Sequence, residues 1–163
     1  MKKEIAYLLG VFYADGWLAQ NKKYPTIELQ ENDGSYLFEL AKKELLTNRF
    51  KKRKRNNSII KQISFRITNK AHRKLFEDII SDKINMNNVK NYIEPEDYSY
   101  FLRGFFDGDG CINLQKFKSR VYFYGTKDQD WSFILNILDK LDIGYNHTIN
   151  IRKDGKHQSS FIC

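Results

Sequence analysis

The chain has 163 residues, enough for one ordinary domain or for two half-domains sharing an interface and a sizeable core. Its 28 lysines and arginines against 20 acidic residues give a net charge of +8 and a pI near 9.4, which favours a polyanionic partner, either nucleic acid or an acidic membrane surface. No apolar run approaches the roughly 18 residues of a membrane span, no signal-peptide pattern precedes residue 16, and two cysteines without metal-ligand spacing point to a reducing, intracellular setting without zinc.

In chain order, residues 3 to 14 predict a helix that carries LLGVFYADG, residues 8–16. Small residues stand four apart at Gly10 and Ala14, and the apolar run ends in Asp15-Gly16, a helix end and turn that leaves Asp15 at the tip. Trp17 to Lys22 turns into a strand, Lys22 to Pro25 is a basic turn, and Thr26 to Gln30 alternates like a half-buried strand. A second helix follows, its start capped by Asp33 and its apolar positions at Leu37, Leu40, Ala41 and Leu45. The basic stretch Arg49 to Ser58 and the alternating Ile59 to Thr68 predict a hairpin with its tip near Asn56-Asn57. Lys70 to Ser81 is a third helix, and the Asn-rich connector 82–95 ends the first unit, which reads αββαββα.

A second unit begins with a helix over Tyr98 to Phe106 and contains LRGFFDGDG, residues 102–110. Laid over the first motif, Gly10 falls on Gly104, Ala14 on Gly108, Asp15 on Asp109 and Gly16 on Gly110, at a constant offset of 94 positions. Cys111 to Phe117 and Val121 to Gly125 predict a hairpin, with Cys111 buried at its start. Asp128 takes the place of Asp33, Trp131 to Leu141 form a helix ended by Gly144, and Tyr145 to Arg152 pairs with Gln158 to Ile162 through Asp154-Gly155. The units are thus 1–95 and 96–163, the second without a closing helix.

Small residues at i and i+4 put Gly10/Ala14 and Gly104/Gly108 each on one helix face, so the two motif helices can pack backbone to backbone as a pseudo-symmetric pair. Asp15 and Asp109 then meet at one end. Two carboxylates in one place need a proton or a cation, and a hard divalent ion shared with substrate phosphates is the usual solution, which makes metal-assisted phosphodiester hydrolysis the expected chemistry.

Both nine-residue motifs resemble those of the LAGLIDADG homing endonucleases in the form with two motifs in one chain. The resemblance implies an α+β fold of two pseudo-symmetric αββαββ(α) repeats, motif helices at the centre and two antiparallel sheets forming a DNA-binding saddle. It implies a monomeric, site-specific double-strand DNA endonuclease that leaves short 3′ overhangs at a long, asymmetric target. Mg²⁺, with Mn²⁺ able to substitute, would be held by Asp15 and Asp109 with the main chain at Ala14 and Gly108, and no membrane or obligate protein partner is implied. Gln30, beside the scissile phosphate, and Lys90, stabilising charge at the cleaved strand, are the further catalytic positions the resemblance suggests; Gln30 matches Gly125 in the second repeat.

Alternation on the strands nominates DNA contacts at Gln20, Lys22, Thr26, Glu28, Lys51, Arg53, Arg55, Gln62, Ser64 and Arg66 in the first sheet. In the second they are Asn113, Gln115, Lys116, Lys118, Arg120, Tyr122, Tyr124, Arg152 and Lys153. The competing reading is a protein of the same fold, an intron RNA maturase or a transcription regulator, that grips nucleic acid without cutting it. The two retained aspartates favour the enzyme. Nothing in the sequence has the ends of a self-splicing intein, and His72, His147 and His157 have no spacing suited to a metal or a triad.

Overall fold

A computed structural model describes residues 1–18, 24–45, 49–54, 61–114, 119–151 and 158–163. Two helices form its axis: α1 (Lys3–Asp15) and α4 (Tyr98–Asp109), packed on each other more extensively than any other pair of helices. The first sheet has the order β1-β2-β4-β3, with β1 Trp17–Leu18, β2 Pro25–Gln30, β3 Arg49–Lys54 and β4 Lys61–Arg66. The second has the order β5-β6-β8-β7, with β5 Gly110–Leu114, β6 Ser119–Thr126, β7 His147–Ile151 and β8 Gln158–Ile162. All these pairings are antiparallel. Helices α2 (Glu31–Leu45) and α3 (Lys70–Ser81) back the first sheet, and α5 (Ser132–Lys140) lies on the second half.

The alternation in the sequence explains the layering. Ile27, Ile63 and Phe65 turn one face of the first sheet to the helices and are buried, while Glu28, Gln62 and Ser64 on the other face keep contact with solvent. Phe12, fully buried on α1, meets Phe65 of β4 and Phe76 of α3 edge to face, tying three elements together. Helix α3 keeps the bounds read from its periodicity, and the Asn69 side chain accepts from the Ala71 amide at 2.8 Å to cap it.

Several expectations fail locally. Helix α2 starts at Glu31, directly after β2, so Asp33 sits inside the first turn rather than before it. On α5 it is the Asp130 carboxylate, not Asp128, that accepts from a first-turn amide, that of Ser132, at 2.9 Å. The same helix is closed by Asp142, in the left-handed conformation (φ 54°), with the Ile143 amide returning to the Leu138 carbonyl at 3.0 Å, well before Gly144. The connector is ordered as two 3₁₀ turns, Met86–Asn91 and Pro95–Asp97, because Met86, Val89 and Ile93 insert into the core. Cys111 is exposed, and on the helix-facing side of the second sheet Ile112, Val121 and Ile149 are exposed too, where the first sheet is covered. The hairpin tips expected at 56–57 and 154–155 lie outside the described residues.

The axis depends on two glycines. A Cβ on Gly10 would run into the Phe101 carbonyl and the Phe105 amide; one on Gly104 would run into the Tyr7 carbonyl and the Val11 amide. Tyr7 and Val11 are the repeat counterparts of Phe101 and Phe105, so the contact is self-complementary, like that between the subunits of a two-fold dimer. In a free helix Gly→Ala gains about 1 kcal/mol. Here Gly10→Ala and Gly104→Ala each forfeit that gain and destabilise by about 1–3 kcal/mol through overpacking. Gly144→Ala, with nothing within 4 Å of the added carbon, is the control expected to leave the urea midpoint in place.

Candidate active site at the paired helix ends

The close approach continues to the ends of α1 and α4. Ala14 and Gly108 touch, and a Cβ added to Gly108 would lie 3.2 Å from the Asp15 Oδ2 atom. Asp15 and Asp109 are the last residues of their helices, and both chains leave in extended conformation at Gly16 and Gly110. The two carboxylates therefore share one small volume at the helix C-terminal ends, where the partial negative charge of each helix adds to their own.

The electrostatics follow. Burial first, then the neighbouring Asp15, lifts the Asp109 carboxyl to about 6, with Lys83 pulling the other way. Burial at the tip also raises the Asp15 carboxyl, again against Lys83. Lys83 stands just after α3. Its ammonium donates to the Ala14 carbonyl at 2.9 Å and the Gly16 carbonyl at 2.5 Å. Burial holds it down to about 8 although both aspartates favour its charge.

The residue is held at its backbone. The Lys83 carbonyl accepts from the Tyr13 hydroxyl and, at 2.8 Å, from Gln129 Nε2, which also lies 3.0 Å from the Tyr13 oxygen. One residue on, the Ile84 carbonyl accepts from the Asp130 amide at 2.7 Å. Lys83, Tyr13 and Gln129 were not singled out by the sequence: no local signal marks them, because α3, α1 and the start of the second-repeat helix meet only in three dimensions.

Lys90 is elsewhere. It sits in a 3₁₀ turn with its ammonium 6.0 Å from the Phe133 ring centre, lining a pocket between α4 and α5, so the lysine beside the aspartates is Lys83. Gln30 ends β2 with an exposed side chain, and its register partner is Gln62. The position matching it is not Gly125. Trp17 pairs with Thr26 and its counterpart Cys111 pairs with Tyr122, so the second hairpin is two residues longer and places Thr126 where the first has Gln30. Gly125 serves packing: a Cβ there would meet the Trp131 ring at 2.8 Å.

The nominated DNA-contact residues fall into clear groups. Thr26, Glu28, Gln62, Ser64 and Arg66 share one face of the first sheet, and Lys51 and Arg53 are the register partners of Ser64 and Gln62. Thr26 is on that face but only 4% exposed, its hydroxyl donating to the Tyr24 carbonyl, so it offers no free group. Asn113, Arg120, Tyr122 and Tyr124 share one face of the second sheet, where Tyr122 and Tyr124 stack and Phe161, not nominated, meets both. Gln20, Lys22, Arg55, Gln115, Lys116, Lys118, Arg152 and Lys153 lie outside the described residues.

The donors at the tips suit a hard cation: two carboxylates and the carbonyls of Ala14 and Gly108, all oxygen, with a deficit of positive charge that Lys83 relieves in part. Among the described residues no three acidic, histidine or cysteine side chains gather as a closed metal cage, so water or substrate oxygens would complete the shell of a cation held here.

The raised Asp109 value makes a stability prediction for the protein in chelator. A folded-state value near 6 against 3.8 means that this group's contribution is full below pH 3.8 and is lost as pH rises through about 6. Asp109→Asn removes that loss. Allowing for its partial exposure, the variant is expected to be more stable than wild type by on the order of 1–2 kcal/mol at pH 8, with the gap closing toward pH 4, in urea titrations at the two pH values.

Residues 96–162 match the LAGLIDADG-like domain family. No curated protein matches the chain in sequence. Among solved structures, the chain is similar to I-DmoI in complex with DNA and Ca, at 14% identity and a TM-score of 0.59, over 98% of this chain and 81% of that one. It is similar to the homing endonuclease I-WcaI bound to its DNA recognition sequence, at 17% identity and 0.59, over 99% and 76%. The N-terminal LAGLIDADG domain of DUF199/WhiA gives 16% identity and 0.61, over 98% and 74%.

Proposed function

The chain has a LAGLIDADG-type fold of two pseudo-symmetric helix–sheet repeats, and we propose that it is a site-specific endonuclease cutting both strands of double-stranded DNA by metal-dependent phosphodiester hydrolysis. The observation that carries this reading is the pair of aspartates brought to one point by symmetric helix ends, beside a lysine ammonium. A binding surface alone has no use for two carboxylates held together at this electrostatic cost.

In this reading the working halves are 1–95 and 96–163. Asp15 and Asp109, with the carbonyls of Ala14 and Gly108, hold Mg²⁺ or Mn²⁺. The ion's contribution when bound is Lewis-acid activation of the phosphate and of water at neutral pH. Lys83 faces the negative charge that grows at the cleaved strand, the role that the family resemblance suggested for Lys90. Gln30 orients phosphate or water in one half, and the Thr126 hydroxyl stands at its place in the other. The first sheet contributes polar and basic side chains and the second an aromatic face with Arg120. Two such unlike surfaces suit a long, asymmetric duplex site bound by a monomer, within the cell that holds that DNA.

Binding and cutting separate experimentally. In Ca²⁺, Asp15→Asn and Asp109→Asn are expected to bind the target duplex, selected from a randomised library, as wild type does. In Mg²⁺ each is expected to lose about 100-fold or more in cleavage. A double variant that still cuts would remove the aspartates from the chemistry. Neutralising Lys51, Arg53 and Arg55 together is expected to flatten the log–log salt dependence of affinity by about 2–3 units. An unchanged slope would place the interface elsewhere.

A further inference from the structure

The lysine at the tips occupies an oxygen that the metal reading also needs. We propose that Lys83 is a resident counter-ion: its ammonium holds the first-repeat coordination position on the Ala14 carbonyl, so that the paired aspartates take up one divalent cation, on the Gly108 side, rather than two. This rests on the endonuclease reading of the site and goes beyond it by making the metal site one-sided.

The geometry supports it in three ways. The ammonium has two main-chain carbonyls as acceptors, Ala14 at 2.9 Å and Gly16 at 2.5 Å, and both aspartates as counter-charges, an all-oxygen surround of the kind a hard cation uses. A divalent ion on the same carbonyl oxygen would stand against the ammonium charge at close range, in a partly buried place where like charges repel strongly. The lysine is also pinned from both repeats: by Tyr13 and Gln129 on its own carbonyl, and by the Asp130 amide on the Ile84 carbonyl.

Among the described residues no lysine donates to the Gly108 carbonyl on the other side. At the repeat offset the counterpart of Tyr13 is Asp107, whose carboxylate accepts from the Tyr7 hydroxyl at 2.9 Å. Asp107 is thus not available to seat a lysine against the Gly108 carbonyl, which directly precedes the more deeply set aspartate.

The test titrates the whole chain with Ca²⁺ alone, without DNA, by calorimetry, and melts it in chelator. Wild type is expected to bind one Ca²⁺. Lys83→Met is expected to bind a second, or to bind the first about tenfold more tightly, because a competing cation is gone. In chelator it is expected to melt below wild type at neutral pH and to be restored by Ca²⁺. Tyr13→Phe, which keeps the ring in place but removes one of the two side-chain donors to the Lys83 carbonyl, is expected to move the Ca²⁺ affinity in the same direction by less, and it serves if Lys83→Met does not fold. Two equivalent Ca²⁺ ions on wild type, or unchanged Ca²⁺ binding in both variants, would overturn the proposal. One Ca²⁺ on wild type with a second on Lys83→Met, in a protein that cuts no duplex, would uphold it while sinking the endonuclease reading; no Ca²⁺ on any variant would sink both.

Discussion

The structure depends on backbone touching backbone. Where α1 crosses α4, the carbonyls of Phe101 and Tyr7 lie over Gly10 and Gly104 with no room for a methyl group. Packing at this distance forfeits side-chain burial at the two glycines, and the loss is offset by the residues around them. Leu8, Leu9 and Phe12 of α1 and Phe101 of α4 are fully buried, and Tyr13 meets Phe101 and Phe105 edge to face at 5.6 Å. Both sheets are hung from this axis. Phe12 reaches into the first through Phe65, and Phe105 lies against Phe123 of the second.

The same contact creates the electrostatic problem at its end. Helices that touch at Gly10 and Gly104, and again at Ala14 and Gly108, have no freedom to separate the aspartates that follow. Burial and proximity raise the Asp109 carboxyl, and the protein answers with a lysine drawn from the segment after α3, partly dehydrated and held low for its trouble. Packing, not local chemistry, decides where the charge sits. The polar cluster of Tyr13, Lys83 and Gln129 joins α1, the connector and the segment leading to α5, so the geometry of the tips is tied to the relative placement of both halves.

What was legible in the sequence was whatever is written in a single segment or a repeated one. The two motifs, the alternating strands and the 3.6-residue period of α3 are local patterns, and they yield the elements, the order and the helix pair. What was not legible depends on the path of the chain in space. Lys83 and Lys90 are both lysines of one Asn-rich connector, and only the 3₁₀ turn that buries Met86 and Val89 turns one to the aspartates and the other to Phe133. Asp128 and Asp130 are equally good caps on paper, and the bridge between Asn85 and Asp130 fixes the second at the start of α5. Gln30 was paired with Gly125 by counting, whereas the longer second hairpin shifts the register to Thr126. Cys111 was read as buried from the strand it starts, but it pairs with Tyr122 on the face of the second sheet turned away from the helices and is exposed there.

The self-complementary crossing also constrains how such a chain drifts. Each motif helix is the mould for the other: a larger residue at position 10 can be accommodated only by a change around 101 and 105, and one at 104 only around 7 and 11. The two halves can diverge freely on their outer faces, as the polar first sheet and the aromatic second sheet have. Along the seam they inherit jointly. Substitutions there are expected to arrive as pairs spanning about ninety positions of sequence, so that the deepest memory of the repeat is kept in the residues with the least side chain.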